Sequence, residues 1–374
     1  MDDINLKTTQ IQFNMKTTIN FNHRRLLIFT AMLLIFFVGM AQNKIDYLNE
    51  PSEQIDRRMK WFTDAKYGMF IHFGLYSQLG GEWEGKVAGK YAEWLQAEAD
   101  IPAQVYSMLT TTFNPQDFNA DFIARTAKEA GMKYIVITTK HHEGFCLWNS
   151  EYTNFDVGST PFAGRDILAE LSVACKKYGL KFCTYYSIID WHHPSQERNI
   201  DGTNIRQRWA HIRMKSQKKA EYITYMKNQI RELIEKYNTD MMWFDGDWVY
   251  WWNIEDGKEL YQYIRELKPE IIINNRVAKR RIFKKDFGTP EQEHPDANQA
   301  YPWEACYTLN GSWGYKENDT NWKDAQTVFD MLKDINTKGG NFLLNIGPDG
   351  NGKVPEKSIQ IISEVGEKIK ESKK

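Results

Sequence analysis

Short apolar runs recur along the chain, each followed by a longer stretch in which apolar positions return every three or four residues. The runs are Gly68 to Phe73, Tyr134 to Thr139, Lys181 to Ser187, Met241 to Asp245, Ile271 to Asn274 and Asn341 to Ile346. Near-continuous apolar runs are the mark of strands buried on both faces, as in a parallel sheet. Helical spacing fills Asn119 to Ala130, Asp166 to Tyr178, Ala220 to Tyr237, Gly257 to Leu267, Asp324 to Lys338 and Pro355 to Glu371. Asn119-Ala120-Asp121 and Asp324 set short polar side chains where the first free N–H groups of a helix need acceptors. Strands that alternate with helices predict βα units and a (β/α)8-like barrel. Six clear strands are fewer than eight, so residues 281–307, rich in Pro and charge, are expected to hide irregular barrel strands and long loops.

Composition narrows the class. Apolar residues make up 42% of the 374 and aromatic residues 14%, enough for a large core with rings left for a binding surface. The formal charge of −1, with no long run of Lys or Arg, argues against a nucleic-acid or anionic-membrane partner. Residues 1–41 are set apart from the fold: Arg24-Arg25 precede the apolar stretch Leu26 to Val38, and Gly39-Met40-Ala41 offers a small-residue cleavage site. This is the layout of a secretory signal, and the stretch is shorter than the ~20 residues that span a bilayer. Export to the periplasm or the exterior is expected, with no membrane attachment after cleavage. Met1 to Asn14 are unusually polar for such a signal, and Met15-Lys16 is its more ordinary start. A single catalytic domain, 42–374, is predicted to follow. The four cysteines, Cys146, Cys175, Cys183 and Cys306, show no CxxC pair and no metal-type spacing, so free buried thiols are expected. No metal or cofactor is called for.

The candidate chemistry gathers at strand ends. Trp243-Phe244-Asp245-Gly246 closes one apolar run with a carboxylate and a chain-turning glycine, and Trp243, Trp248, Tyr250, Trp251 and Trp252 crowd around it. Barrel enzymes place their catalytic groups where strands end, at the C-terminal face. Asp247, beyond the glycine, is a weaker competitor on the loop. His72 ends the first run, Lys140-His141-His142-Glu143-Gly144-Phe145 the second, Tyr185-Tyr186-Ser187 with Asp190-Trp191-His192-His193 the third, and Asn274-Asn275-Arg276 a later one. Each histidine taken singly reads as a buried ring satisfied by backbone; their gathering at strand ends favours a site. Because side chains alternate along a strand, His141 and His142 share a pocket only if the chain bends there.

Aromatic rings around a carboxylate suit a sugar. Retaining glycoside hydrolysis needs a second carboxyl about 5–5.5 Å from the first, and that group must hold a proton near neutral pH. Glu304, in Pro302-Trp303-Glu304-Ala305-Cys306, and Glu291, in Gly288-Thr289-Pro290-Glu291-Gln292, both qualify. An apolar flank raises a carboxyl's pKa, so Trp303 tips the preference narrowly to Glu304.

The chain resembles the α-L-fucosidases of glycoside hydrolase family 29. The matching pieces are Trp61-Phe62, Ala65-Lys66-Tyr67-Gly68-Met69-Phe70-Ile71-His72-Phe73-Gly74, Tyr91-Ala92-Glu93-Trp94, Lys140-His141-His142-Glu143-Gly144-Phe145 and Trp243-Phe244-Asp245-Gly246. Asn275-Arg276, Thr289-Pro290-Glu291, Trp303-Glu304, Ser312-Trp313-Gly314-Tyr315 and Gly339-Gly340-Asn341-Phe342-Leu343-Leu344-Asn345-Ile346-Gly347-Pro348 follow in family order. The resemblance implies a (β/α)8-like barrel and release of terminal α-L-fucose, with retention, from a fucosylated oligosaccharide or glycoprotein glycan. It implies that Asp245 is the nucleophile and that Glu304 or Glu291 is the acid/base, since members of the family differ there. His72, Glu93, Trp94, His141, His142, one of Tyr185 and Tyr186, Trp243 and Arg276 would line the fucose pocket, with Trp313 against the sugar's methyl group. Many members carry a C-terminal β-sandwich, which this sequence is expected to lack.

Two other readings compete. A metal-dependent barrel hydrolase would use His141, His142, His192 and His193 with Asp245, but its paired histidines are adjacent and a His-x-His on the first strand is missing. A fucose-binding lectin on the same fold would have lost its catalytic carboxylates, whereas here both positions are filled.

Overall fold

The computed structural model describes residues 45–197 and 213–374, and the stretch read as a signal lies outside them. Tyr47–Lys374 form one compact unit. Its centre is a parallel sheet of seven strands: β1 (Tyr67–Ile71), β2 (Tyr134–Lys140), β3 (Lys181–Ser187), β4 (Met241–Asp245), β5 (Ile272–Ile273), β6 (Glu304–Thr308) and β7 (Asn341–Ile346). They lie in the order β6-β7-β1-β2-β3-β4-β5. The gap between β5 and β6 is closed by residues 287–291, which bridge to both sides: Phe287 pairs with Asn274, Gly288 with Trp303 and Glu291 with Cys306, all parallel. This irregular stave completes a (β/α)8-like barrel.

Alternation along the strands sorts the residues by face. Phe70, Val136, Cys183, Tyr185, Met241, Trp243, Ile272, Phe287, Cys306 and Leu343 point inward and pack as one interior cluster. Met69, Ile71, Ile135, Ile137, Phe182, Met242, Phe244, Phe342 and Leu344 point outward beneath the helices. Both faces are apolar, hence the unbroken runs in the sequence. Gly68 leaves the interior no room for a side chain: a Cβ there would stand 2.4 Å from the Tyr134 ring.

The main helices are α1 (Ser52–Ala65), α2 (Ala120–Glu129), α3 (Ile167–Tyr178), α4 (Lys219–Tyr237), α5 (Ile254–Leu267), α6 (Ala325–Thr337) and α7 (Glu356–Glu371). Asn119, Asp166 and Asp324 cap α2, α3 and α6, each accepting from a first-turn N–H. A capping box between Asn253 and Asp256 starts α5 three residues before the predicted Gly257.

Helix α1 seals the N-terminal end of the barrel, packing Met59, Phe62 and Ala65 onto the interior cluster. It also locks the irregular stave. The buried Arg58 donates to both oxygens of Asp286 (2.8 and 3.0 Å) and to Glu50 (2.9 Å), while Asp286 accepts from the Ile273 N–H of β5 (2.8 Å). Arg265 of α5 holds the other oxygen of Glu50 at 2.7 Å. The four cysteines are free and buried.

Candidate active site

A cavity of about 190 Å³ opens at the C-terminal end of the barrel. Asp245, the last residue of β4, lines it together with His72, Glu93, Trp94, His141, His142, Tyr185, Trp243, Arg276, Glu291 and Trp313. The turn after β4 depends on Gly246, whose φ of +91° is a conformation that side chains avoid.

Asp245 is held as an anion. Burial pushes its carboxyl up, but the guanidinium groups of Arg276 and Arg280 outweigh that and bring it to about 2. Nη1 of Arg276 and Nη2 of Arg280 both donate to Oδ1, each at 2.9 Å. The same Nη1 of Arg276 donates to Glu291 Oε2 at 3.0 Å. Two carboxylates that bond one nitrogen must have their nearest oxygens within about 6 Å, which admits the ~5–5.5 Å spacing of a retaining pair. The rest of Arg276 is fixed: Nε donates to Thr289 Oγ1 (2.7 Å), Nη2 to the Thr289 carbonyl (3.0 Å), and the guanidinium lies over the Trp243 ring.

The histidines are neutral acceptors. Burial drives His72 down to about 3 and His142 to about 4, and holds His141 well below its ordinary value. Ser187 spends its hydroxyl hydrogen on the Ile189 carbonyl (2.7 Å), so it accepts from His142 Nδ1 (2.7 Å) and leaves Nε2 bare. Asn345 Oδ1 likewise takes the Nδ1 hydrogen of His72 (2.6 Å), while its amide nitrogen is anchored on the Trp313 carbonyl (2.7 Å). A register shift in β2 between Thr138 and Lys140 turns the chain enough that His141 and His142 both reach the cavity.

Glu93 is sealed in, and burial pushes it up to about 7 although the Gly314 N–H donates to its Oε2 at 2.8 Å. Its Oε1 and the Nδ1 of His141 are buried without a protein hydrogen-bond partner, which is costly unless a ligand supplies one. These groups and the rings of Trp94, Trp243 and Trp313 are a set suited to a molecule with several hydroxyls and apolar C–H faces.

The two glutamates separate. Glu291 lines the cavity with 35% of its side chain exposed. Glu304 is the first residue of β6, at the N-terminal end of the strand, and is fully buried. It accepts from the Tyr134 hydroxyl and from Trp243 Nε1 (2.9 Å), and burial raises it to about 7. The apolar flank thus identifies a carboxyl with a raised pKa, but one placed beneath the Trp243 ring and absent from the cavity lining. Glu304, which the sequence favours as proton donor, therefore lies outside the cavity: the strand begins at this residue instead of ending there. Tyr186 is likewise outside the cavity, since alternation turns it outward to Gln229 of α4 (2.7 Å), and Tyr185 is the tyrosine that enters. His192 and His193 sit on the loop after β3, where both backbone N–H groups donate to Asp190.

Sequence reasoning missed Phe70, Tyr91 and Cys306 in the lining and Arg280 on Asp245, whereas Trp248, one of the rings noted around Asp245, does line the cavity. Phe70 and Cys306 are indistinguishable from core in a strand pattern. Arg280 stands in Lys279-Arg280-Arg281, where nothing local separates it from a solvated basic run.

A family model described as Alpha-L-fucosidase matches residues 35–373. The α-L-fucosidase of Dictyostelium discoideum is 30% identical over 90% of this chain and 76% of its own length. Mammalian tissue α-L-fucosidases, from cattle, mouse and rat, are 28–29% identical, and the chain spans 63–65% of their length. Among solved structures, the α-L-fucosidase of Lactobacillus casei in complex with α-L-fucose superposes with a TM-score of 0.75 at 34% identity, over 84% of this chain and 99% of that one. A Bacteroides thetaiotaomicron α-L-fucosidase of family GH29, trapped as a covalent intermediate with a 2-fluoro-fucosyl fluoride, gives 0.74 at 32% identity, over 84% and 75%. Fold, catalytic cavity and sequence agree, and the chain belongs to the α-L-fucosidase family of glycoside hydrolases.

Proposed function

We propose that the protein is a retaining exo-α-L-fucosidase that removes terminal fucose from fucosylated glycans by double displacement. The observation that carries this reading is the sharing of Arg276 Nη1 by Asp245 and Glu291 inside the cavity. It keeps the two carboxylates close enough to admit the spacing of a nucleophile and its acid/base partner. Asp245 attacks the anomeric carbon while Glu291 gives its proton to the departing glycosidic oxygen. Water then attacks the fucosyl carbon, Glu291 takes the water's proton, and the bond to Asp245 breaks with its electrons returning to the carboxylate. The bare nitrogens of His72 and His142 accept from sugar hydroxyls, Glu93 binds a further hydroxyl, and Trp313 faces the 6-methyl group. The covalent intermediate named for the Bacteroides enzyme supports the same course here.

We assign the proton donor to Glu291 because it reaches the cavity and Glu304 does not. The test is a panel of fucosides assayed with wild type, Asp245→Ala, Glu291→Ala and Glu304→Gln. Asp245→Ala should abolish turnover. Glu291→Ala should lose at least ~100-fold on a poor leaving group and much less on an activated aryl fucoside, with azide intercepting the fucosyl-enzyme and restoring turnover as α-fucosyl azide. Recovery of that azide product from a Glu304 variant alone would return the role to Glu304. Binding of fucose without hydrolysis of any fucoside would make the protein a lectin.

Export to the periplasm or exterior is proposed on the Arg24-Arg25, Leu26 to Val38 and Gly39-Met40-Ala41 layout. N-terminal sequencing of the protein secreted by its own host tests it, with Gln42 as the expected first residue.

A further inference from the structure

Two arginines, not one, hold the nucleophile, and they hold the same oxygen. Arg276 Nη1 and Arg280 Nη2 both donate to Asp245 Oδ1 at 2.9 Å. Oδ2 is held far more loosely: the Tyr185 hydroxyl stands at 3.4 Å, and the bare Nε2 of His142, 3.8 Å away, offers it no hydrogen. Arg280 is itself built in. Its Nε and backbone N–H donate to the two oxygens of Asp247 (2.8 and 2.9 Å), Nη2 also reaches Asp247, and its guanidinium lies over the Trp248 ring. Asp247 is buried and stands two residues beyond the nucleophile, so one turn carries both the nucleophile and the group that aims its second clamp.

The two guanidiniums have different commitments. Arg276 shares its Nη1 between both catalytic carboxylates. Arg280 touches Asp245 and Asp247 and makes no bond to Glu291 among the described residues, so it acts on the nucleophile alone.

We propose that Arg280 is a second positioning residue for Asp245, which leaves Oδ2 as the attacking oxygen and speeds chiefly the second half of the reaction. This rests on Asp245 being the nucleophile. In the first step the carboxylate loses charge as Oδ2 bonds the fucosyl carbon, so a cation on Oδ1 favours the starting state. In the second step water attacks that carbon, the C–Oδ2 bond breaks, and the charge returns to the carboxylate. A cation on Oδ1 then stabilises the transition state more than the ester. Removing Arg280 should slow hydrolysis of the fucosyl-enzyme while sparing its formation.

The experiment is pre-steady-state kinetics on an activated aryl α-L-fucoside, with Arg280→Met and, to avoid leaving Asp247 buried without its cation, Arg280→Met/Asp247→Asn. Wild-type turnover and its loss in Asp245→Ala are established first; failure there overturns the fucosidase reading and the clamp with it. With those in hand, both arginine variants should show kcat lower by at least about ten-fold, the worth of one hydrogen bond between charged partners. The value of kcat/KM, which reports formation of the intermediate, should hold within a few-fold. A burst of one equivalent of phenol and faster turnover on adding azide should accompany the fall. A parallel fall in kcat and kcat/KM without a burst would reduce Arg280 to a scaffold residue, and wild-type constants in the double variant would remove it from the reaction.

Discussion

Glu304 holds its proton more tightly than a carboxyl in water because it is buried in the barrel interior, and the Tyr134 hydroxyl and Trp243 N–H that donate to it offset that burial only in part. Burial raises it to about 7 against an ordinary value near 4.5. The folded value lies above the unfolded one, so the native state binds this proton more tightly, and its stability falls as pH rises from about 4.5 to about 7 and then levels off. Glu304→Gln cannot ionise and still accepts from Trp243. Its stability relative to wild type should therefore climb by up to about 3 kcal/mol between pH 4.5 and pH 8. Urea unfolding of both proteins at the two pH values measures this, and a difference that does not grow with pH would show that Glu304 ionises as freely as in water. Glu93 is the catalytic-end counterpart. Glu93→Gln preserves an acceptor for the Gly314 N–H but replaces the unpartnered oxygen by an amide nitrogen that cannot accept, so kcat/KM should fall about ten-fold, mainly through KM, as expected for loss of ground-state binding.

At the scale of elements, the end of β4 decides where Asp245, the proposed nucleophile, points. The Asp245 carbonyl accepts from the Ile188 N–H (2.8 Å), and the chain then reverses through Gly246. A Cβ at Gly246 would meet the Ile189 side chain at 2.9 Å and its backbone nitrogen at 3.1 Å. Gly246→Ala should therefore cost about 1–3 kcal/mol in stability and lower kcat more than ten-fold, since relief of the strain moves Asp245. Thermal unfolding and steady-state kinetics on one preparation test both halves. That this turn was legible follows from its chemistry: an apolar run buried on both faces ends in a charge and a glycine, a combination that core packing alone does not require. Strands β1 to β5 and β7 were visible because their runs are apolar on both faces. Strand β6 and the stave 287–291 were not, because Pro290, Pro302 and the charged residues between them break the apolar pattern, and the stave pairs by single bridges instead of ladders. The same gap accounts for the misplacement of Glu304. With no visible strand, its position at a strand's beginning could not be told from an end, and only the Trp303 flank was left to judge by.

On the scale of the whole molecule, the most irregular part of the barrel carries residues of the site. Thr289, which orients Arg276, and Glu291 both lie on the irregular stave, which pairs with its neighbours by single bridges. What fixes that stave at the opposite end is Asp286, bound by Arg58 of α1 and by the Ile273 N–H of β5, with Tyr261 of α5 donating to it at 2.8 Å. Arg58 is buried, and its removal would leave Asp286 and Glu50 as buried anions short of a counter-charge. Arg58→Met should accordingly destabilise the protein by about 3–5 kcal/mol. Because the stave links this lock to the cavity, the variant should lose kcat/KM even at temperatures where it stays folded, by moving Thr289 and Glu291 relative to Asp245. Circular dichroism to establish folding, with kinetics well below the transition, separates the two effects. Full activity in a folded but destabilised variant would show that the C-terminal ends of β5 and β6 hold the stave without help from below. In that case the geometry shared by Asp245, Arg276 and Glu291 would be set locally, by Thr289 and the Glu291–Cys306 bridge.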